Sequence, residues 1–424
     1  MNDDIPASHP LRYAWFVVVL LFPVALLNYL DRQMLATMRV SMVEDIPSIA
    51  NKADWGMVLA CFKWTYAVLS PFGGFIADRV SRRHVIGASL LVWSAVTWWT
   101  GHVATFHELM AARALMGVSE AFYIPAALAL IADYHPGLTR SRAVGVHQTG
   151  IYVGQILGGF AGYVADSPEH GWRWAFTTCG LVGVVYAMPL FAILRNPVRP
   201  APDAVTQVVS GNVFRGLLTN RNFILLVLYF TLPAIAGWVV RDWMPDILKE
   251  KFGLGQGRAG VSAILVVQFG ALVGALLGGT LADRWMRTSP RGRIFTSAIG
   301  TLLLLPALFS VGYAGTLAVA ILGLSIFGLG WGFFDCNNMP ILCQVARSEW
   351  RATGYGIMNL VSISCGGFGD WAFGALRDRH VPLNLIFGVF AGVALLSVVI
   401  VLLIKAEPNQ SVREPEGARR SADA

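Results

Sequence analysis

Long apolar stretches separated by short polar segments fill most of this chain. A helix needs about 20 predominantly apolar residues to cross a bilayer, and twelve stretches reach that length. The predicted spans are 13–37, 55–77, 84–104, 107–132, 142–165, 173–194, 222–244, 259–282, 293–313, 316–345, 354–376 and 383–404. Membrane β-strands would instead appear as short alternating segments, a pattern that the chain lacks. The pattern therefore predicts an all-α membrane protein with twelve transmembrane helices.

Composition and charge agree with a membrane environment. Charged residues make up 13% of the chain and hydrophobic residues 55%, whereas about 25% charged residues is usual for soluble domains. Most of the 32 Lys and Arg residues fall in alternate loops, on the side that holds both termini. Because basic short loops stay in the cytoplasm, we predict cytoplasmic termini and a multi-pass protein of the cell inner (plasma) membrane. The net charge of +7 follows from this topology and does not indicate nucleic-acid binding.

The chain repeats itself, which predicts two six-helix halves. Gly74-Phe-Ile-Ala-Asp78-Arg79 follows the second span, and Gly279-Thr-Leu-Ala-Asp283-Arg284 follows the eighth. A second pair of motifs, beginning at Arg142 and Arg351, recurs after the fourth and tenth spans. The predicted organisation is an N-terminal half (1–194), a cytoplasmic linker (195–221), a C-terminal half (222–405) and a disordered cytoplasmic tail (406–424).

The loop motif and the duplication resemble the major facilitator superfamily across essentially the whole chain, although Ser81 stands where that family usually has Gly. The resemblance implies a transporter that works by alternating access. A small residue at Gly74 permits close helix approach, and the neighbouring charges can form a lock that opens and closes with the halves. The predicted conformational gate consists of Gly74, Asp78, Arg79, Arg82, Arg83, Arg142, Asp283 and Arg284. Alternatively, these arginines only enforce topology.

Among the ionisable residues inside the predicted spans, five on the first, second and fourth spans are the main candidates for function: Asp31, Arg32, Lys63, Arg113 and Glu120. Each charge at the centre of a bilayer costs about 2.5 to 3.5 kcal/mol, so such residues usually face a pathway or a partner. Arg113 and Glu120 are seven residues apart and share one helix face, about 10.5 Å apart along the axis. The structural alternatives are that Asp31 and Arg32 only fix helix packing, that Glu120 pairs with Arg113, and that Lys63 neutralises Asp31.

Two segments narrow the resemblance further. Asn28-Tyr-Leu-Asp31-Arg32-Gln33, together with Arg113 and Glu120 on the fourth span, resembles the anion:cation symporter family of sugar-acid importers and sialin-like carriers. Spinster-type transporters share much of both segments. The resemblance implies that Asp31 and Glu120 carry protons and that Arg32 and Arg113 bind the anion or act in gating.

The charges themselves suggest how protons and anions are coupled. The five residues sum to +1 with both carboxylates ionised and to +3 with both protonated. An anion should therefore bind the protonated site better, and by linkage its binding favours protonation. We predict proton-coupled uptake of a small organic anion, such as a sugar acid, with Lys63 as a third cationic contact.

Polar residues on the fifth and tenth spans are candidate substrate contacts. Asp335 occupies the repeat-equivalent position of Glu120. Amides at Asn337 and Asn338 suit hydroxyl groups, or else they join helices. Gln148 and Tyr152 share one face of the fifth span and are the predicted contacts there.

Other polar residues in the spans are assigned secondary roles. The nearby His147 is interpreted as structural. We interpret Arg241, Asp242 and Asp370 as interfacial gate or snorkelling groups.

Other functional classes find little support. No GxSxG, HExxH or GxxxxGK[ST] motif occurs, and the five cysteines lie in apolar spans without metal-ligand spacing. We therefore expect no catalytic residues, no metal and no cofactor other than protons as the coupling ion. The expected partners are a small-molecule organic anion and the lipid bilayer, with no nucleic acid and a monomeric protein. The alternatives are a spinster-like proton-coupled transporter of lysophospholipid or another amphiphile, and a membrane receptor or scaffold.

Overall fold

A computed structural model describes residues 11–135, 139–195, 211–347 and 350–405, and these residues form helices without any strand. In the first half the helices are α1 (Leu11–Thr37), α2 (Arg39–Asp45), α3 (Lys52–Arg79), α4 (Arg82–Thr100), α5 (Phe106–Glu120), α6 (Tyr123–Tyr134), α7 (Arg140–Ala165) and α8 (Gly171–Ile193). The others are α9 (Gly211–Thr219), α10 (Arg221–Phe252), α11 (Gln256–Met286), α12 (Gly292–Tyr313), α13 (Leu317–Val345), α14 (Arg351–Asp378) and α15 (Leu383–Leu403).

Twelve long helical segments match the twelve predicted spans, with α5 and α6 together forming the fourth. Eight of these segments have the length and hydropathy of membrane spans by composition alone. The remaining four, α3, α4, α7 and α14, carry more polar residues, including Lys63 and Asp370. The all-α fold prediction is confirmed, while the cytoplasmic placement of the termini remains a prediction.

The observed helices differ from the predicted spans in four places, of which the first is the additional short helix α2 between the first two spans. The fourth span is broken at residues 121–122, because Pro125 lacks the N–H that would continue a helix through the preceding turn. The predicted linker contains α9. Helix α10 continues beyond the predicted end at 244 to Phe252, with two lysines in its last turn and Gly253 at φ 63° as its cap. The predicted span ended before these lysines because they are charged. Lysines are nevertheless favourable at a helix C-terminus, where they interact with the last carbonyl groups and the helix dipole. The predicted tail, 406–424, lies outside the described residues.

Side-chain capping fixes where α5 begins. The Thr105 hydroxyl accepts a hydrogen bond from the Glu108 amide at 3.2 Å, and the Glu108 carboxylate accepts one from the Ala104 amide at 2.7 Å. These bonds satisfy amides that have no partner within the helix. The start of the helix in turn sets the direction in which Arg113 and Glu120 project.

The two ends of the bundle pack differently. The beginning of α1 lies beside the end of α8, where the Tyr13 hydroxyl donates to the Ile193 carbonyl at 3.0 Å. At this termini end, one apolar cluster is built only from residues of the first half and another only from residues of the second half. At the opposite end, here called the distal end, a single cluster draws on both halves. The halves are therefore joined distally.

Close helix approach at the distal end depends on glycine. The main packings between halves are α3 against α14 and α7 against α11. A Cβ atom at Gly162 would lie 2.5 Å from the backbone of Gln256, and one at Gly374 would lie 2.2 Å from the Lys52 carbonyl. Neither position has room for a larger residue while the distal end is closed.

Candidate functional site

Asp31 and Arg32 are neighbours on α1 and have separate partners. Consecutive residues on a helix project about 100° apart. The Thr97 hydroxyl of α4 donates to the Asp31 carboxylate at 3.1 Å. Arg32 turns towards α5 and donates from Nε to Glu120 Oε2 at 2.5 Å. Glu120 is fully buried where α5 breaks, and its ion partner is Arg32 rather than Arg113.

Aromatic rings surround the Arg32 guanidinium. Its Cζ atom lies 4.7 Å from the ring centroids of both Tyr29 and Phe62, and 5.0 Å from that of Tyr66. A guanidinium is attracted to aromatic faces and is more weakly hydrated than an ammonium. The combination of rings and a carboxylate holds this cation at low exposure, with 16% of its side chain accessible.

Arg113 is a buried cation without a contacting carboxylate in the described part of the chain. Its side chain is 3% exposed, and its Cζ atom lies 4.5 Å from the Phe62 ring centroid. Its Nη1 atom lies 2.9 Å from the thioether sulfur of Met116, while Nε has no hydrogen-bond partner. Glu120 and Asp31 attract it at longer range. This guanidinium is therefore available to an anion.

Lys63 connects the two halves. Its ammonium donates to the carboxylates of Asp242 on α10 and Asp370 on α14. It also lies 4.4 Å from the ring centroid of Trp238. The proposed alternative in which Lys63 neutralises Asp31 is not what the structure shows. The snorkelling interpretation of Asp370 is likewise wrong, because that residue is fully buried.

A cavity lies between the halves beside these charges. Its polar lining consists of Arg32, Gln33, Lys63, Arg113, Gln155, Arg241 and Asp242. Tyr29, Leu59, Phe62 and Trp238 supply the apolar and aromatic part. The cavity thus combines several cations with flat apolar surfaces.

The contacts predicted on α7, Gln148 and Tyr152, do not line this cavity. Gln155 lines it, whereas Gln148 and Tyr152 are half-buried and closer to the termini end. The buried His147 ring lies 2.9 Å from the Tyr123 hydroxyl, in keeping with the structural role predicted for it. Gln155 lies three residues after Tyr152 on the same helix face, so the helical spacing that predicts Tyr152 also indicates Gln155.

The predicted contacts on α13 have different surroundings. Asp335 is exposed and interacts electrostatically with Arg241 and with Tyr152. Asn338 is buried, and Asn337 donates to the Phe333 carbonyl of its own helix at 3.0 Å. Because this bond engages the side-chain amide of Asn337 within its own helix, Asn337 is less available to a ligand than Asp335.

The predicted conformational gate lies at the termini end. Arg82 donates to the Ala129 carbonyl at 2.7 Å and forms an ion pair with Asp133, both within the first half. Arg83 is half-buried, with its Nε atom 3.3 Å from the ring nitrogen of His84. Gly74, Asp78 and Arg79 are described only as part of helix α3, and the contacts of these three residues lie outside the described structure. Arg142, Asp283 and Arg284 are exposed.

The described hydrogen bonds and ion pairs between the halves run from the middle of the bundle to the distal end. Arg39 pairs with Asp246 at 2.7 Å, and Lys52 pairs with Glu250 at 2.6 Å. The Gly257 amide donates to Asp166 at 3.0 Å. Near the middle, the Trp64 indole donates to the Ser364 carbonyl at 3.2 Å. This arrangement is a distally closed conformation.

A family model described as Major Facilitator Superfamily matches residues 21–370. The chain belongs to the major facilitator superfamily. Human spinster homolog 1 is 29% identical over 404 residues, covering 88% of this chain and 75% of the human protein. Drosophila melanogaster spinster is 26% identical over 393 residues, covering 88% of this chain but only 64% of the fly protein. The spinster-type resemblance seen in the sequence is therefore borne out.

The fold of this superfamily member is also similar to a solved structure. A bacterial homolog of the human lysosomal transporter spinster, in an inward-facing and unoccupied conformation, superimposes with a TM-score of 0.76 at 20% identity. The match covers 94% of this chain and 95% of the other. At this identity the likeness shows the shared fold.

The sequence predicts gate or snorkelling roles for Arg241, Asp242 and Asp370, whereas the structure puts the first two on the cavity wall and the third behind Lys63. With these three, the five charges of the sequence prediction become four cations and four carboxylates, which sum to zero rather than +1 when every group is ionised. Asp335, which interacts with Arg241, adds a fifth carboxylate. Ionisable residues inside apolar segments were the available signal. The sequence could not show which of these charged residues form ion pairs between the two halves.

Proposed function

We propose that this protein is a secondary transporter that couples protons to the movement of an organic anion by alternating access. The observation that carries the proposal is Arg113, a buried guanidinium beside the cavity that no carboxylate of the described residues contacts. A buried cation is costly unless paired, and a bound anion would complete the pair. Arg32 and Lys63 are already held by carboxylates, so they contribute to the field around the ligand.

Asp31 and Glu120 are the proposed proton carriers. Both are buried within electrostatic reach of Arg113. Each proton taken up by Asp31 or Glu120 adds one positive charge to the site. A protonated site therefore attracts an anion, and a bound anion favours protonation, which is the reciprocal coupling that symport needs. We place the protein in the inner membrane with its termini in the cytoplasm.

Two classes of anion fit this site. A small hydroxylated acid such as a sugar acid would use the cations together with Gln148, Tyr152, Asp335, Asn337 and Asn338. An amphiphile such as a lysophospholipid is the second candidate. Similarity to spinster proteins favours it, as does the aromatic lining from Tyr29, Phe62 and Trp238.

Uptake into proteoliposomes with an imposed inward proton gradient tests the function. Labelled sugar acids and labelled lysophospholipids are offered separately, with a protonophore as the control. We expect accumulation of one class that the protonophore abolishes. Binding without movement in either direction would indicate a receptor instead, and accumulation indifferent to the protonophore would contradict proton coupling.

A further inference from the structure

The cluster of Lys63, Asp242 and Asp370 crosses the boundary between the halves. Lys63 belongs to α3 of the first half, whereas the two aspartates belong to α10 and α14 of the second. Lys63 is 4% exposed, Asp370 0% and Asp242 13%. The distal end cannot open between α3 and α14 without withdrawing the ammonium from both carboxylates.

The two carboxylates remain together after such a separation. They lie against each other and contact the same ammonium, and both stay with the second half. The Oδ1 atom of Asp370 has no hydrogen-bond partner in the described structure. Two adjacent carboxylates cannot readily stay ionised without a cation between them, so they tend to share a proton.

Other charges facing the pair do not replace Lys63. Arg241 neighbours Asp242 on α10, but its guanidinium lies over the Trp238 ring at 5.0 Å. Arg113 of α5 acts on Asp242 only at longer range. Arg32 and Tyr29 of α1 line the same cavity as Asp242, and Asp370 interacts with Lys63 and Asp242.

We propose that Asp242 and Asp370 form a proton-binding pair in which Lys63 takes the place of the proton while the distal end is closed. Opening withdraws Lys63 and the pair takes up one proton; closing returns Lys63 and releases that proton. By linkage, acidification favours the distally open state. The proposal rests on alternating access from the proposed function, but it requires neither a particular substrate nor proton transport by Glu120.

The test measures opening directly. Spin labels are attached at His107→Cys and Arg379→Cys, two exposed distal positions on opposite halves, after replacement of the five native cysteines by alanine. Double electron–electron resonance in nanodiscs reports the distance between labels without any substrate or proton gradient. In the otherwise unchanged protein, we expect the fraction with a long distance to rise at least about three-fold between about pH 8 and about pH 5.

Asp370→Asn should remove most of this pH response. Lys63 still pairs with Asp242 in this variant, but Asp242 no longer has a second carboxylate with which to share a proton. This variant leaves no buried charge unpaired, so we expect it to fold. Asp242→Asn is the second variant and should give the same loss. The matched control is Asp246→Asn, which lies one turn further along α10 and removes another pair between halves, the one with Arg39. The control should keep the pH response.

The outcomes separate this proposal from the transport function. A pH response unchanged in both Asp370→Asn and Asp242→Asn would overturn the proton-binding pair, as would its absence from the starting protein. Loss of the response in Glu120→Gln, with retention in Asp370→Asn, would assign the pH dependence to the cavity instead. Failure of substrate uptake leaves the distance measurement valid, because that measurement contains no substrate.

Discussion

At the residue scale, the buried charges have unequal partners. Arg32 pairs with Glu120 and is enclosed by aromatic rings, whereas the polar and ring contacts of Arg113 in the described structure are a thioether and one ring. A charge that loses its buried partner destabilises a protein strongly, while loss of an unpaired charge removes a cost. Substitutions of the two arginines should therefore have different consequences for stability and for binding.

Arg32→Ala is expected to lower stability more than Arg113→Ala, because it leaves Glu120 without its ion pair. Breaking a buried pair costs about 3 to 5 kcal/mol, less whatever protonation of Glu120 recovers. Thermal unfolding in detergent measures the difference. Equal stability of the two variants would show that the Arg32–Glu120 contact contributes little.

Arg113→Ala is expected to weaken anion binding at least about ten-fold, equivalent to about 1.4 kcal/mol. The matched control is Arg258→Ala, an exposed arginine in the first turn of α11. Ligand-induced thermal stabilisation or equilibrium binding with the transported anion provides the readout. Unchanged affinity would reduce Arg113 to a packing residue and would remove the main support for an anionic substrate.

Glu120→Gln is expected to lose accumulation driven by a proton gradient while keeping some counterflow exchange, since exchange needs no net proton movement. Proteoliposome uptake and counterflow with the same labelled anion measure the two activities. Glu169→Gln, which changes an exposed carboxylate, serves as the control and should keep both. Accumulation as strong as in the starting protein would exclude Glu120 as the proton carrier.

At the element scale, helix ends and glycines position the site. The Thr105–Glu108 cap fixes the start of α5, and the break after Glu120 ends it. Glycine allows α7 to contact α11 and α3 to contact α14 in the closed distal end. The glycine-rich composition of these helices was visible in the sequence, but small residues pack helices in any membrane bundle. The tertiary structure was needed to show which glycines lie at the interface between the halves.

Gly162→Ala is expected to raise the distally open fraction, because a Cβ there would collide with the backbone of Gln256 at 2.5 Å. Gly145→Ala on the same helix is the control, since no atom of the described residues lies within 4 Å of a Cβ at that position. The distance between labels at His107→Cys and Arg379→Cys measures both variants. A closed distribution in Gly162→Ala would show that α7 and α11 can shift without parting.

At the scale of the whole molecule, the distal end shares one apolar cluster and the termini end has two separate ones. The described cross-half bonds agree with that division. Relative movement of two rigid halves is the general mechanism of such carriers. The conformation is therefore a property of the assembled bundle, and access to its centre is expected from one side only.

Asp335→Cys tests this one-sided access together with the predicted topology. Asp335 is exposed between the halves, so a membrane-impermeant thiol reagent should label it from the side of the termini. With cytoplasmic termini, inside-out vesicles should be labelled and right-side-out vesicles should not. The background again has the five native cysteines replaced. The reverse pattern would contradict the predicted orientation.

The membrane environment, the number of spans, the duplication and the depth of five buried charges could all be predicted from the sequence alone. These features follow from local composition and spacing, because every helix in a bilayer must satisfy its own backbone and a charge there is costly. The partners of those charges were decided only by the tertiary structure. Lys63 meets Asp370 from the other half, more than 300 positions along the chain, and no helical periodicity relates residues on separate halves.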